Sequence, residues 1–412
     1  MQVGADRWRL VPQRAYYLFE GGCALLNGLA FTLMLVFQVQ VAGLSPLELV
    51  LMGTVLEVTL LVCEVPTGVV ADLYSRRRSV LIGAAIIGVS MLLQGGWPSF
   101  WPTLIAQVIW GVGYTFVSGA IQAWITDEVG ESSVQPVFTR GTQVGLACGV
   151  IGTVLAGALG LIDLRLPMLV AGAGYLILSL VLVLLMPEAG FRPVPGEQRQ
   201  TWGHVRQVLG SGLELTRRPG VVRSFLGVSL LLGLSSEAVD RLWTAYVLEQ
   251  FPLPSVFGLS GAALWFSVFA LISTLVSLLA SLLANRVAGR RLNAEHPRAL
   301  LAALVGLQVV GIAGFALAGW LWVSLAALWL RDAARVIAEP VQAAWLNRSM
   351  DSRSRATMLS LVSQADALGQ VAGGPPLGAL AGRASIRVGL LASAAVLAPA
   401  VVLLARLKQR TP

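Results

Sequence analysis

Acidic and basic side chains interrupt the long apolar stretches of this chain at a few points, and any chemistry has to be sought there. Glu237, Asp240 and Arg241 fall together in one stretch, and Arg331, Asp332, Arg335 and Glu339 in another; Glu20, Glu57, Glu64 and Asp366 stand singly. Groups of these types in an apolar setting can carry protons, neutralise one another or hold a charged solute. Glu237 and Arg241 stand four residues apart, as do Arg335 and Glu339, and Asp332 precedes Arg335 by three, so on helices each pair shares a face. Structural pairing and direct contact with solute or ion are equal readings, because a buried pair can do both. Asp240 has no opposite charge three or four residues away, which suits it to carry a proton unless a crossing helix supplies a cation. Glu20 is a second carrier candidate, with solvation by Arg14 as the competing reading. Glu57 and Asp366 are secondary candidates, and for Glu57 Thr or Ser partners on a neighbouring helix would serve as well.

The elements that hold these residues follow from composition. Of 412 residues, 56% are hydrophobic and only 12% charged, and the mean hydropathy is +0.77. That excludes a water-soluble globule, and a disordered chain needs the opposite balance. Apolar runs long enough to cross about 30 Å of hydrocarbon number six between residues 15 and 187 and six between 221 and 406. The fold class expected is therefore all-α and integral to the membrane, with twelve transmembrane helices in two pseudo-symmetric six-helix bundles. The bundles should occupy 1–187 and 221–412. Residues 188–220 should form a linker with an amphipathic surface helix marked by Trp202, Val205, Val208 and Leu209, or a solvated loop.

The excess of 29 Lys plus Arg over 21 Asp plus Glu does not indicate nucleic acid, because the bases lie in short clusters between apolar runs. Lys408 is the only lysine, so no phosphate-cradling Gly-x-x-x-x-Gly-Lys loop exists. Cys23, Cys63 and Cys148 fall inside apolar runs and read as small packing residues. His204 and His296 lie in polar segments and build no metal cluster. No cofactor is called for, and no nucleophile elbow or zinc helix points to an intramembrane enzyme. With the first residues inside, 23 basic residues fall in cytoplasmic segments, three outside and three within spans. That bias predicts both termini in the cytoplasm. Trp97, Trp101, Trp320 and Trp322 would then form an outer aromatic belt, and Trp124 and Trp345 inner interfacial anchors.

An internal repeat is also visible. Gly68-Val-Val-Ala-Asp72-Leu-Tyr-Ser-Arg76-Arg77-Arg78 aligns at an offset of 213 with Ser281-Leu-Leu-Ala-Asn285-Arg-Val-Ala-Gly289-Arg290-Arg291, and Arg140-Gly-Thr echoes Arg355-Ala-Thr. A six-plus-six duplication predicts a site near the midplane between the halves.

On these residues the chain resembles the major facilitator superfamily over its whole length. The family's loop signature of Gly, Asp four residues later and paired bases is matched by Gly68, Asp72, Arg76 and Arg77. The resemblance implies a conformational latch, in which the carboxylate caps helix 11 and the arginines pair with an acid ending helix 4, here Asp127 or Glu128. An aspartate does favour a helix N-terminus, and guanidiniums in a partly desolvated seam need an acid. Topological marking by Arg76 to Arg78 is the competing reading. The family's proton antiporters carry an arginine in helix 4 where this chain has Gln107. Their glycine motif is loose in helix 5 (Gly152, Ala156, Gly160) and closer in helix 11, at Gly374-Pro375-Pro376-Leu377-Gly378. In the family, helices 1, 4, 7 and 10 line the central cavity, which singles out Glu237, Asp240, Arg241, Asp332, Arg335 and Glu339; Tyr114, Phe116, Gln122, Trp243 and Tyr246 are further lining candidates.

The resemblance implies a monomeric secondary transporter, surrounded by lipid, that moves a small organic, amphipathic solute by alternating access in proton-coupled efflux. The alternatives are a proton-coupled importer and, given the missing helix 4 arginine, a non-pumping lipid-moving or sensory protein of the same fold.

Overall fold

The protein is described by a computed structural model that covers residues 9–192, 221–255, 261–291, 297–348 and 352–406. The expected linker helix, both histidines and Lys408 lie outside the described residues, as do the side chains of Asn285, Arg290, Arg291 and Arg355 that the repeat invoked.

Every regular element among the described residues is an α-helix. The first six are α1 Pro12–Gln40, α2 Pro46–Leu73, α3 Arg76–Gly96, α4 Phe100–Val129, α5 Val134–Gly160 and α6 Leu166–Leu185. The second six are α7 Val221–Gln250, α8 Ala262–Arg291, α9 Pro297–Leu317, α10 Leu321–Arg348, α11 Ser352–Arg383 and α12 Ile386–Arg406. Their ends carry local signals. Ser45 and Glu48 form a reciprocal capping box on α2, the carboxylate accepting from the Ser45 N–H at 2.8 Å. Ser75 caps α3 by accepting from the Arg78 N–H at 2.9 Å. Gly130 ends α4 at φ 83°, a conformation other residues rarely adopt.

Nine of the helices, α1–α6, α8, α9 and α12, are long and apolar enough to cross a membrane. The described residues of the other three, α7, α10 and α11, hold no such apolar stretch, although the helices are 30, 28 and 32 residues long. They are the helices that carry Glu237, Asp240 and Arg241, the run from Arg331 to Glu339, and Asp366. What lowers their hydropathy is the chemistry itself.

Contacts divide the chain into two compact units, Met1–Leu44 with Val55–Thr201 and Leu253–Leu271, and Ser45–Thr54 with Trp202–Pro252 and Ile272–Pro412. Inside the first, α1 packs on α5 and α6, and α3 on α4 and α6; inside the second, α7 packs on α11 and α12, and α9 on α10 and α12. The same pairing recurs with each partner replaced by its counterpart six helices on. The closest approaches recur too. Gly28 abuts the backbone of Gly149 and Thr153 while Gly152 abuts Leu25 and Leu29; Gly233 abuts Asp366 and Gln370 while Gly369 abuts Leu230 and Leu234. A Cβ at any of the four would collide with opposing backbone, so small residues are what let these helices pack without a hydrophobic driving force between them.

Candidate substrate and coupling site

Inside the second unit the charged residues of α7 and α10 form a network of Asp240, Arg331, Asp332, Arg335 and Glu339 and, beside it, the pair Glu237 and Arg241. Arg331, whose side chain is 6% exposed, donates through Nη1 to Asp240 Oδ1 at 2.7 Å and to Asp332 Oδ1 at 2.9 Å. Arg335 reaches the other oxygen of Asp240 at 3.3 Å and lies 3.5 Å from Glu339. Arg241 donates to Glu237 at 2.9 Å. This last pair is nearly enclosed, and a Cβ at Gly53 would overlap the Glu237 carboxylate. The glycine leaves the space that the ion pair occupies.

Two readings change here. Asp240 is not a lone carboxylate: the crossing helix α10 supplies it with two guanidiniums. Asp332 pairs with its neighbour Arg331 rather than with Arg335, because Arg335 is taken by Asp240 and Glu339. The pairs four apart, Glu237 with Arg241 and Arg335 with Glu339, form as their spacing predicts.

Beside this network lies a cavity of about 280 Å³, bounded by α7, α9, α10, α11 and α12. Arg331, Arg335 and Glu339 enter it from α10, and Asp366 from α11. Asp366 accepts a hydrogen bond from Gln370 at 2.8 Å and has no cation within 4.0 Å among the described residues. The position that the sequence pattern gave to Asp240, a carboxylate without a paired cation, is thus filled by Asp366. Within the cluster, Glu237, Asp240, Asp332, Glu339 and Asp366 outnumber Arg241, Arg331 and Arg335. A site with surplus carboxylates in low dielectric must recruit positive charge, as protons or as a cation.

The neutral polar lining was missed from sequence. Ser229, Ser235, Ser236, Gln308, Gln342 and Ser363 all face the cavity, and Gln342 donates to Ser229 at 3.2 Å. A signal was present: Ser229, Leu232 and Ser236 on α7, and Arg335, Glu339, Gln342 and Leu346 on α10, follow the three- and four-residue spacing of one helix face. Tyr246 is not a lining residue. It is fully buried and donates to the Ala316 carbonyl at 2.7 Å.

The first unit holds its ionisable groups differently. Glu20 is half-buried beside Tyr16, one turn earlier, rather than Arg14. Glu57 is half-buried on α2, and Glu64 is exposed. Where α2 passes into α3, Arg76 Nη1 donates to Asp127 at 2.5 Å and to the Ala123 carbonyl at 3.1 Å, while Nη2 lies 3.4 Å from Asp72. Arg77 donates from its side chain to the Val183 carbonyl and from its backbone to Glu188. Glu128 pairs with no arginine among the described residues; it accepts from the Ala189 and Gly190 N–H groups at 2.7 Å. Gly68 faces open space. Gln107 is buried and donates to Gln94 at 3.3 Å. Trp124 and Trp345 are buried packing residues rather than interfacial anchors: the Trp124 indole donates to the Pro187 carbonyl, and Trp345 stands edge-on to Phe225. Trp97, Trp101, Trp320 and Trp322 are exposed where α3 meets α4 and α9 meets α10.

Comparison with known proteins gives three findings. The sequence model of the Major Facilitator Superfamily matches residues 21–338. Among curated relatives, the uncharacterized MFS-type transporter YxaM of Bacillus subtilis is 24% identical over 227 residues, 52% of this chain and 55% of YxaM. The multidrug resistance protein MdtG of Escherichia fergusonii is 28% identical over 241 residues, 55% of this chain and 56% of MdtG. The chain thus spans about half the length of the curated relatives it matches. Among solved structures, the nucleoside transporter NupG superposes with a TM-score of 0.77 at 15% identity, over 97% of this chain and 100% of NupG. A D-xylose-proton symporter superposes with a TM-score of 0.67 at 13% identity, over 97% of each chain.

Proposed function

The chain belongs to the major facilitator superfamily, so it is an integral membrane transporter and not an enzyme, and from that premise we propose a secondary active transporter that expels a small amphipathic solute by proton antiport. The reading is carried by one observation: Asp366 lines the cavity of the second unit with no cation within 4.0 Å among the described residues. Such a carboxylate holds either a proton or a cationic solute, and exchanging one for the other is what couples the two flows. Asp240, clasped by Arg331 and Arg335, keeps those guanidiniums occupied, and Asp366 is left with the neutral Gln370 as its hydrogen-bond donor.

The efflux direction draws support from the likeness to MdtG, a multidrug resistance protein. The fold does not choose a direction, since a nucleoside transporter and a D-xylose-proton symporter share it; import by symport is the second reading. The likeness to bacterial relatives favours a bacterial inner membrane, and the basic clusters favour cytoplasmic termini. On that topology the Arg76–Asp127 pair, with Asp72 beside it, is a cytoplasmic latch. Glu20 is a secondary proton site, and the protein works as a monomer in lipid.

The test is reconstitution into vesicles with an imposed pH gradient and an internal pH-sensitive dye, challenged with a panel of amphipathic solutes. Proton movement that follows solute addition, with the sign of exchange, is expected. Asp366→Asn should abolish the gradient dependence while leaving downhill solute exchange. Wild-type flux that ignores the gradient, or full gradient dependence in D366N, would overturn the coupling assignment, and co-movement of solute and proton would select the importer.

A further inference from the structure

The same cavity carries enough unsatisfied chemistry to name the class of molecule it accepts. Ser235 is 1% exposed and its hydroxyl has no hydrogen-bond partner among the described residues; the Nε of Arg331, also buried, has none either. Both residues line the cavity, as does Asp366. Gly233 abuts the Asp366 backbone, so Ser235, two residues further along α7, stands within a turn of the level of Asp366. Leu232, Ile312 and Leu397 contribute an apolar wall.

Each feature restricts the ligand. An anion would have to draw Arg331 or Arg335 away from Asp240, Asp332 and Glu339, which already hold them. A neutral polar molecule would leave an ionised Asp366 unpaired in low dielectric. A cation meets Asp366 directly. The orphan Ser235 hydroxyl and Arg331 Nε ask in addition for an acceptor on the same molecule, since a buried donor left unmade costs more than its hydrogen bond returns.

We propose that this cavity is a site for amphipathic amino alcohols: the ammonium on Asp366, the hydroxyl between Ser235 and Arg331, and the hydrocarbon body against Leu232, Ile312 and Leu397. The proposal rests on the reading of this cavity as the solute site. It adds Ser235 as a residue that binds the hydroxyl of the solute.

A matched series tests it in detergent-purified full-length protein. The probes are 2-amino-1-phenylethanol, 1-phenylethane-1,2-diol and mandelate, which share ring and hydroxyl and differ only in presenting an ammonium, a hydroxyl or a carboxylate. Affinities are read by ligand-dependent thermal shift and by equilibrium dialysis. The amine should bind about ten- to a hundred-fold more tightly than the diol, as a hydrogen bond to a charged group does in a desolvated site, with mandelate weakest. D366N should remove the amine's advantage over the diol, and a wild-type elution profile in size-exclusion chromatography certifies its fold. Ser235→Ala should weaken all three probes alike, by about fivefold, the loss of one hydrogen bond. Equal binding of amine and diol, preference for mandelate, no shift with any probe at millimolar concentration, or an amine preference retained in D366N would each overturn the assignment. The wild-type ranking decides even if a variant fails to fold. An amine preference without gradient-driven flux would keep the site and remove the pump; gradient-driven flux without the preference would do the reverse.

Discussion

The two units share a scaffold and differ in what they place on it. The reciprocal glycine contacts equate Gly28 with Gly233 and Gly152 with Gly369, and α4 and α10 begin 221 residues apart, at Phe100 and Leu321. Carried along the helices, these equivalences set Thr32 against Glu237, Leu35 against Asp240, Trp110 against Arg331, Tyr114 against Arg335 and Gly149 against Asp366. Where the second unit has an ionic network, the first has a stacked pair of rings, Trp110 on Tyr114 with centroids 5.1 Å apart, and a hydrogen bond from Thr32 to Thr153 at 3.2 Å. The glycine positions are fixed by backbone contact and recur; the chemistry is carried on side chains that the packing does not dictate. Duplication thus yields a frame, and specialisation of one half yields the site.

The sharpest way to break this contrast is to neutralise the network at its centre. Arg331→Leu removes the buried guanidinium that bridges Asp240 and Asp332, and leaves Arg335 on Asp240. Both carboxylates are partly exposed, at 39% and 29% of their side chains. The loss is therefore expected at about 1 to 3 kcal/mol, the cost of charged groups left without a hydrogen-bond partner, read as a lower yield of folded R331L in fluorescence-detected size exclusion. Asp240→Leu combined with R331L makes position 240 resemble Leu35 and removes both charges, and it should recover most of the thermal stability. Strictly additive losses in this cycle would mean that the two side chains do not depend on each other.

How much of this was legible in sequence follows the same division. The number of helices and the duplication were readable because apolar run length and repeated loop motifs survive without knowledge of helix rotation. The pairs four residues apart were readable for the same reason, since a helix alone brings Glu237 to Arg241. The clasp on Asp240 was not, because it depends on which face of α10 turns toward α7. Ser235 and Gln342 were hidden because neutral polar residues barely disturb an apolar run. Trp124 and Trp345 were misread because their place near helix ends in the sequence says nothing about burial.

The shared frame makes a prediction of intermediate size. Gly152→Val and Gly369→Val each drive a branched side chain into the backbone of the facing helix, and overpacking of that kind costs about 1 to 3 kcal/mol. Because the contacts are equivalent, the two variants should lower the thermal midpoint in detergent by similar amounts. A large loss in one and none in the other would show that the repeat of helix pairing does not extend to energetics.

The smallest expected effect on stability lies in the first unit, at the junction of α2 and α3. Arg76 is only partly buried, and it has the Ala123 carbonyl and Asp72 besides Asp127. Partly exposed pairs contribute about 0.2 to 1 kcal/mol, and the two remaining acceptors would hold the guanidinium in place. Asp127→Asn should therefore shift the thermal midpoint by a degree or two at most. If the pair is a latch, the same variant should change the rate of solute exchange in vesicles by far more than its stability suggests, because a contact made in one state of the cycle and broken in the other acts on the population of states rather than on the fold. Unchanged exchange in D127N, with unchanged stability, would reduce Arg76 to Arg78 to the role their charge alone provides, that of fixing topology.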